Sequence, residues 1–487
     1  MGLLAHGVQT VPVQAGAAGA ERLNRGHHLR GRGGLAALNC SEEWFEQPIS
    51  HFSFKPPPGG RDTYQQRYFI CLGSAKGPKP PVFFYFGNED NVELYVEHTG
   101  LMWESAPDMG AALVFLEHRY YGHSLPFPPD TPNCMGYLTT EEAMADAAAF
   151  LSPMRAGLIK SLGAVGPVVG FGGSYGGMMA AWFRLQYPHL IEGVVSASAP
   201  IWSFLDMHPP YDSSAYLRIV TEAASAKGGA TDQCKNMFRR VQPLIDSLAS
   251  SAKGRATLSK RFRTCKPLKT ADEARGLLGW VQEPWAYLAM GNFPYASSYL
   301  VHGAGLLPAY PVRAACAALD NLPPAPSDTQ LLTATREAVA VYYNVTKTVT
   351  CYYNNQDGEH DREQEDEQDR YHANDHDWRY PPAAAMRPPY SWHSSPRPRS
   401  KKYPKLHLAP SSRPRGRQRE RGGGGGCIGD WGYQWCSEMV QPFSSDGVQD
   451  MFWPPNPFNL SAASAACYFD WRIRPRSWWP VTQVLGH

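Results

Sequence analysis

The residues of this chain best suited to chemistry lie in one stretch, 166–182, Gly-Pro-Val-Val-Gly-Phe-Gly-Gly-Ser-Tyr-Gly-Gly-Met-Met-Ala-Ala-Trp. A short apolar run, Val168 to Phe171, enters a Gly-x-Ser-x-Gly turn centred on Ser174, and an apolar run with helical character follows. Strand, sharp turn and helix in that order make a nucleophile elbow, in which a strained serine points its Oγ out of the turn and its neighbours must be small. Gly172 and Gly176 supply the small neighbours, and Gly173 and Gly177 add room. Ser174 is therefore the nucleophile candidate. The amide of Tyr175, at the start of the helix, is placed to meet the negative oxygen that an attacked carbonyl develops. A bare Gly-x-Ser-x-Gly arises often by chance and can be a glycine-rich turn without chemistry; strand and helix on the correct sides favour the functional reading.

The elements needed to hold this turn can be read on either side of it. Strand-like runs are expected over 43–54, 65–72, 81–87, 112–119 and 193–200, with a stretch of partly helical spacing over 92–109 and a helix over 139–158. The runs at 81–87 and 112–119 are almost continuously apolar, as strands of a parallel sheet covered on both faces are. This alternation predicts an α/β architecture with the nucleophile at the carboxyl end of a strand. The strand at 81–87 ends in Gly87-Asn88-Glu89, a polar loop upstream of the elbow where a second oxyanion amide belongs. Glu117-His118-Arg119-Tyr120-Tyr121-Gly122 is reactive in composition, but His118 precedes the serine and is expected to anchor loop hydrogen bonds rather than act as base.

With those residues in view, the chain resembles the prolyl carboxypeptidase and dipeptidyl peptidase II family of serine exopeptidases. The resemblance rests on Phe84-Tyr-Phe-Gly-Asn-Glu89, Gly100-Leu-Met-Trp-Glu104, Glu117-His-Arg-Tyr-Tyr-Gly-His-Ser-Leu-Pro126, Tyr137-Leu-Thr-Thr-Glu141, Gly172-Gly-Ser-Tyr-Gly-Gly-Met178 and Ser196-Ala-Ser-Ala-Pro-Ile-Trp202, and spans about residues 43–358 and 427–487. It implies an α/β-hydrolase fold with a helical cap inserted after the sixth strand, and cleavage next to proline near a peptide terminus. It implies Ser174 as nucleophile, an oxyanion amide from Tyr175, and Met178 in the proline pocket. Carboxypeptidase and dipeptidyl peptidase specificities are not separated by these motifs. The resemblance also implies a proline-containing peptide as partner, no cofactor, and a lysosomal, vacuolar or extracellular location; a homodimer is left open.

From about 205 the strand pattern stops. Helices are expected over 217–225, 235–250, 271–281 and 331–343, with proline-rich joints at 208–210, 308–311 and 323–326. The expected organisation is a disordered segment 1–42, a first hydrolase part 43–204, a helical cap 205–358, a low-complexity insertion 359–426 and a return to the hydrolase domain over 427–487. The insertion runs from mixed charge through proline-rich and Arg/Lys-rich sequence to five glycines, with no periodic apolar face, so disorder is expected. Its basic tract taken alone would suit nucleic acid, yet the family motifs resume just after it at Trp431, and an insertion such as translated intron is preferred, with no nucleic-acid partner. Its histidines lack a rigid frame, so no metal is assigned.

Composition constrains the rest. The 487 residues suffice for two or three domains of about 150 residues. A 43% hydrophobic share allows sizeable cores, and a net charge of +2 favours no class of partner. The ten cysteines show no Cys-x-x-Cys spacing, which favours disulfides whose pairing is left open. Sequons at Asn39, Asn344 and Asn459 agree with an oxidising, glycosylating compartment. The first 39 residues nevertheless contain no apolar core of a signal peptide, His6 breaks the myristoylation pattern begun by Met1-Gly2, and no run reaches the roughly 18 apolar residues of a membrane span. No membrane partner is expected.

Activation of Ser174 needs a base held by a carboxylate, in chain order Ser, Asp or Glu, His in hydrolases of this kind. The last 61 residues show no pair of apolar strands ending in such an Asp and His, and His487 aligns upstream of both, so the sequence predicts that the last sheet strands and the triad Asp and His are missing and that this polypeptide is inactive. Two alternatives to the exopeptidase reading are an esterase of the same fold and a non-catalytic peptide-binding remnant.

Overall fold

The computed structural model of the protein describes residues 40–353 and 427–485. The expectations for residues 1–39 and 359–426, for Asn39 and for His487 lie outside the described residues.

Six strands form one sheet: β1 (Cys40–Pro48), β2 (Thr63–Cys71), β3 (Val82–Phe86), β4 (Ala112–Leu116), β5 (Val168–Gly173) and β6 (Gly193–Ala197), in the order β1-β2-β4-β3-β5-β6. β1 and β2 pair antiparallel from Cys40 opposite Cys71, β2 runs antiparallel to β4, and β4, β3, β5 and β6 are parallel. β3 and β4 are buried along their whole length. Their side chains alternate between two cores, as a period of two requires. Val82, Phe84, Phe86, Val114 and Leu116 join the core under α3 (Thr140–Arg155) and α4 (Ser174–Gln186). Phe83, Tyr85, Leu113 and Phe115 face α1 (Val92–His98) and α2 (Gly100–Met109). The stretch 92–109 thus forms two helices, because Thr99 leaves helical geometry at φ −88°, ψ 62° between them. This strand order, with the serine turn directly after β5, is the α/β-hydrolase fold.

After β6 come α5 (Ala215–Ala223), α6 (Asp232–Ala249), α7 (Ala252–Phe262), α8 (Ala271–Met290), α9 (Pro311–Asp320) and α10 (Asp328–Tyr343), packed round a separate core that includes Phe238, Trp285, Leu332 and Val339. α8 extends nine residues past the expected end at Val281 and passes through Pro284. A proline there cannot donate to the carbonyl of residue 280, which would otherwise be left unpaired; the Tyr343 hydroxyl donates to the Trp280 oxygen instead, at 2.9 Å. α9 was hidden by the proline-rich joint at 308–311, where Pro311 instead opens the helix, a position that tolerates it.

The C-terminal described part carries α11 (Trp431–Glu438), α12 (Leu460–Trp471) and α13 (Trp479–Leu485). Trp435, Cys467 and Trp479 enter the sheet core, whereas Met451 and Phe452 enter the cap core, so this segment ties the two together. All ten cysteines pair, as Cys40–Cys71, Cys134–Cys427, Cys234–Cys316, Cys265–Cys351 and Cys436–Cys467. Two of these bridges hold the cap, and Cys134–Cys427 joins the chain on either side of the undescribed stretch. The first expected strand, 43–54, instead begins at Cys40 and stops at Pro48, which places residues 40–42 inside β1 rather than in a disordered leader.

Candidate active site

Ser174 sits between β5 and α4 at φ 51°, the left-handed region that costs a non-glycine residue about 1–3 kcal/mol. It is exposed while Tyr175 and Gly176 beneath it are buried, so the turn presents the hydroxyl outward. The spacing of the glycines has a steric cause. A Cβ at Gly172 would stand 2.2 Å from the Gly176 oxygen, and one at Gly176 would stand 2.3 Å from Asn88 Oδ1 and 2.6 Å from the Phe86 oxygen. The loop after β3 and the elbow are therefore in direct contact.

Asn88 makes that contact specific. Buried to 1% exposure, it donates from Nδ2 to the Gly173 oxygen at 2.7 Å and accepts from the Tyr85 hydroxyl at 3.0 Å. Of the three amides expected at this loop, that of Gly87 is already committed to the Leu116 oxygen at 3.0 Å. Gly87 is thus corrected from oxyanion donor to sheet-closing residue, because β4 lies too close to leave its N–H free. The Asn88 and Glu89 amides have no backbone acceptor. The Tyr175 amide lies in the first turn of α4, where N–H groups have no intrahelical partner. Glu89 is half-buried with Oε2 fully enclosed and unpartnered; burial, reinforced by Asp90, pushes its carboxyl up to about 7. Asp90 itself meets His302 of the cap.

The motif Glu117 to Gly122 is structural. Glu117 is buried and accepts from Arg67 at 2.7 Å and from the Ser124 hydroxyl at 2.8 Å. Arg119 is held by Asp146 through contacts of 2.7 and 2.6 Å. His118 donates from Nδ1 to the Arg119 oxygen at 2.7 Å and lies 3.0 Å from the Tyr175 hydroxyl. Burial pushes its imidazole down to about 4, so it is neutral at neutral pH. Among the described residues Ser174 Oγ has no hydrogen-bond partner; His51, His98, His118, His123, His189, His208 and His302 all fail to reach it.

Met178 is 1% exposed in the sheet core beside Tyr175 and Met179. A polar cluster behind the elbow was not foreseen: the Tyr175 hydroxyl meets His118, Thr140 Oγ1 at 2.9 Å and Gln434 Nε2 at 3.1 Å, and Thr140 Oγ1 contacts Glu438 Oε1 at 2.7 Å. Its parts lie in the motifs at 117–126, 137–141 and 431–439, but nothing in their spacing shows that they meet. Asn344, half-buried, donates from Nδ2 to the Tyr352 hydroxyl at 3.3 Å, and Asn459, exposed, caps α12 with its Oδ1 on the Ala462 amide. Among the described residues no group of His, Cys, Asp and Glu could hold a metal ion, and no helix is long and apolar enough to cross a membrane.

A family model, serine carboxypeptidase S28, matches residues 47–398. The chain belongs to the serine carboxypeptidase S28 family. Its match continues through part of the stretch expected to be an insertion. Among S28 relatives, the lysosomal Pro-X carboxypeptidase of Pongo abelii is 33% identical over 453 residues, covering 92% of this chain and 74% of that protein. The human protein of the same name is 32% identical over the same coverage. The thymus-specific serine protease of Mus musculus is 31% identical over 244 residues, 49% of this chain and 45% of that one. The family and these relatives are serine peptidases, hydrolases of amide bonds.

Proposed function

We propose that this chain is a serine-type exopeptidase that cleaves next to proline near a peptide terminus, in the Pro-X carboxypeptidase manner, through an acyl-enzyme on Ser174. The observation that carries the reading is the strained, outward-facing Ser174 braced through Asn88 against the loop after β3. In this reading Ser174 Oγ attacks the carbonyl carbon of the proline residue. The developing oxyanion is received by the Tyr175 amide on one side and by the Asn88 or Glu89 amide on the other. The C–N bond then breaks, the terminal residue leaves with a proton, and water releases the acyl group. Met178 is proposed as a wall of the proline pocket, which requires it to be uncovered from the core. The relatives' names support a lysosomal site of action, where the protein's five disulfides would persist.

The proton of Oγ has no acceptor among the described residues. Loss of the base from such a triad costs on the order of a million-fold in turnover, with about a thousand-fold or more left from binding and oxyanion stabilisation. We accordingly propose that the 487-residue polypeptide turns over very slowly. The test is prolonged incubation, at high protein concentration, with a peptide ending in Pro-Phe, read by mass spectrometry. Release of the terminal Phe by wild type and not by Ser174→Ala supports the proposal. Release of an N-terminal dipeptide would reassign the specificity, and hydrolysis of a simple ester without any peptide cleavage would overturn it in favour of an esterase.

A further inference from the structure

The cluster behind the elbow contains fewer hydrogens than contacts. Glu438 Oε1, Thr140 Oγ1, the Tyr175 hydroxyl and His118 Nε2 follow one another at 2.7, 2.9 and 3.0 Å, three contacts in a row. At the far end, the Arg119 carbonyl 2.7 Å from His118 Nδ1 can only accept, so Nδ1 carries a hydrogen and Nε2 of the neutral ring presents a lone pair. With Glu438 ionised, the row then owns two hydrogens, one on Thr140 and one on Tyr175. One of the three contacts would set lone pair against lone pair, in a place where Thr140, Glu438, Tyr175 and His118 are all buried. Gln434 does not remove the deficit, because its amide brings its own hydrogen to Tyr175 from outside the row.

We propose that Glu438, Thr140, Tyr175 and His118 share one additional proton, and that this proton completes the grip on the Tyr175 side chain and so positions the adjoining Tyr175 amide for the oxyanion. Two arrangements satisfy every contact. In one, Glu438 is un-ionised and donates to Thr140, Thr140 to Tyr175, and Tyr175 to His118 Nε2. In the other, all three hydrogens are reversed and His118 is the cation. Burial disfavours the second, since it separates two charges; the same burial raises the Glu438 carboxyl and lowers the His118 imidazole, which puts the proton on Glu438. The surroundings set the balance. Arg476 donates to Glu438 Oε2 at 2.6 Å and the Thr140 amide to Oε1 at 2.6 Å, both favouring ionisation, while burial and Glu141 oppose it; Arg119 and Asp146 act oppositely on His118, and Glu89 acts on Tyr175. The row joins α3, α4, α11 and the loop after β4, so it fixes the base of the elbow from three sides. Glu438, Thr140 and His118 are positioning residues here: none touches Ser174.

The role assigned to the Tyr175 amide rests on the proposed peptidase reading, but the shared proton can be tested without turnover. Infrared spectra of the full-length protein at pH 7 should show un-ionised buried carboxyl, of which one component persists in Glu89→Gln and vanishes in Glu438→Gln. Hydrogen exchange of the segment containing Tyr175, corrected for the intrinsic pH dependence of the amide, should lose about tenfold protection as the proton is removed at higher pH, the effect of one net hydrogen bond. In Glu438→Gln this end of the row can no longer gain or lose a proton, and that step should disappear. Absence of any un-ionised carboxyl from Glu89→Gln at pH 7 overturns the proposal, and this result needs no Glu438 variant to fold. A carboxyl signal or an exchange step unchanged in Glu438→Gln overturns it equally. Failure of Ser174 to react would strike the peptidase reading and leave both measurements standing.

Discussion

Replacing Gly176 by alanine should unseat the loop that braces the nucleophile. The added Cβ would lie 2.6 Å from the Phe86 oxygen and 2.3 Å from Asn88 Oδ1. Phe86 is the last residue of a central strand, paired to β4, and cannot retreat. The Asn88 side chain must move, which breaks its bonds to the Gly173 oxygen and from the Tyr85 hydroxyl. Leaving buried partners unpaired costs about 1–3 kcal/mol and forcing an extra carbon into a filled site about 1–3 kcal/mol, so a loss of about 2–6 kcal/mol is expected. Urea unfolding of full-length protein measures it: at about 1–3 kcal/mol per molar, the hydrolase transition should move down by roughly 0.7 M or more. Gly279→Ala is the control. That glycine sits inside α8 with nothing within 4 Å of its would-be Cβ, so alanine there should stabilise by about 0.5–1 kcal/mol. A Gly176→Ala midpoint indistinguishable from wild type would refute the contact between the two loops.

Asp146→Ala should destabilise by about 3–5 kcal/mol, because it removes the closest carboxylate from the buried Arg119 guanidinium and leaves only Glu142, at 3.5 Å, opposite it; urea midpoints at pH 7 provide the check. Burial opposes the ionised Asp146, but Arg119 and His51 outweigh it and hold the carboxyl below its usual range, so its stabilisation is present above pH ~4 and is lost only as pH falls below that. Glu89 behaves oppositely: its raised carboxyl, at about 7, makes stability decline as pH rises from ~4.5 to 7, and Glu89→Gln should flatten that part of the profile. When the chain is produced in a secretory host with an added leader, peptide mapping after glycosidase treatment should find glycan on Asn459, whose Nδ2 is free, and little on Asn344, whose Nδ2 is engaged; equal occupancy would contradict the exposure argument.

The sheet and elbow were legible because their signals are local. Continuous apolar runs marked β3 and β4, and four glycines round one serine marked the turn, each from a steric need confined to a few residues. The cap was legible in outline only. The helix expected over 271–281 stops short of Pro284, yet Tyr343, some sixty residues away, supplies the hydrogen bond that keeps α8 continuous past it, and Pro311, placed in a joint, falls where a helix start accepts it. The disulfide pairs and the row from Glu438 to His118 depend on residues brought together from across the chain, such as Cys134 with Cys427 and Thr140 with Glu438. Spacing in sequence does not encode such distances. Gly87 shows the converse: its type and position suggested an oxyanion donor, and only the proximity of the Leu116 oxygen removes its amide from that role.

The role of Ser174 is tested most directly by its reaction with a fluorophosphonate across a range of pH, with the adduct mapped by mass spectrometry in wild type and Ser174→Ala. The adduct should fall on Ser174 alone and be absent from the variant. Its rate should be low and should climb steadily with hydroxide concentration, because no described histidine can accept the Oγ proton. Adduct on another serine would contradict the assignment of the nucleophile. A rapid reaction levelling off near pH 6–7, the range of a histidine base, would contradict the arrangement described for its surroundings.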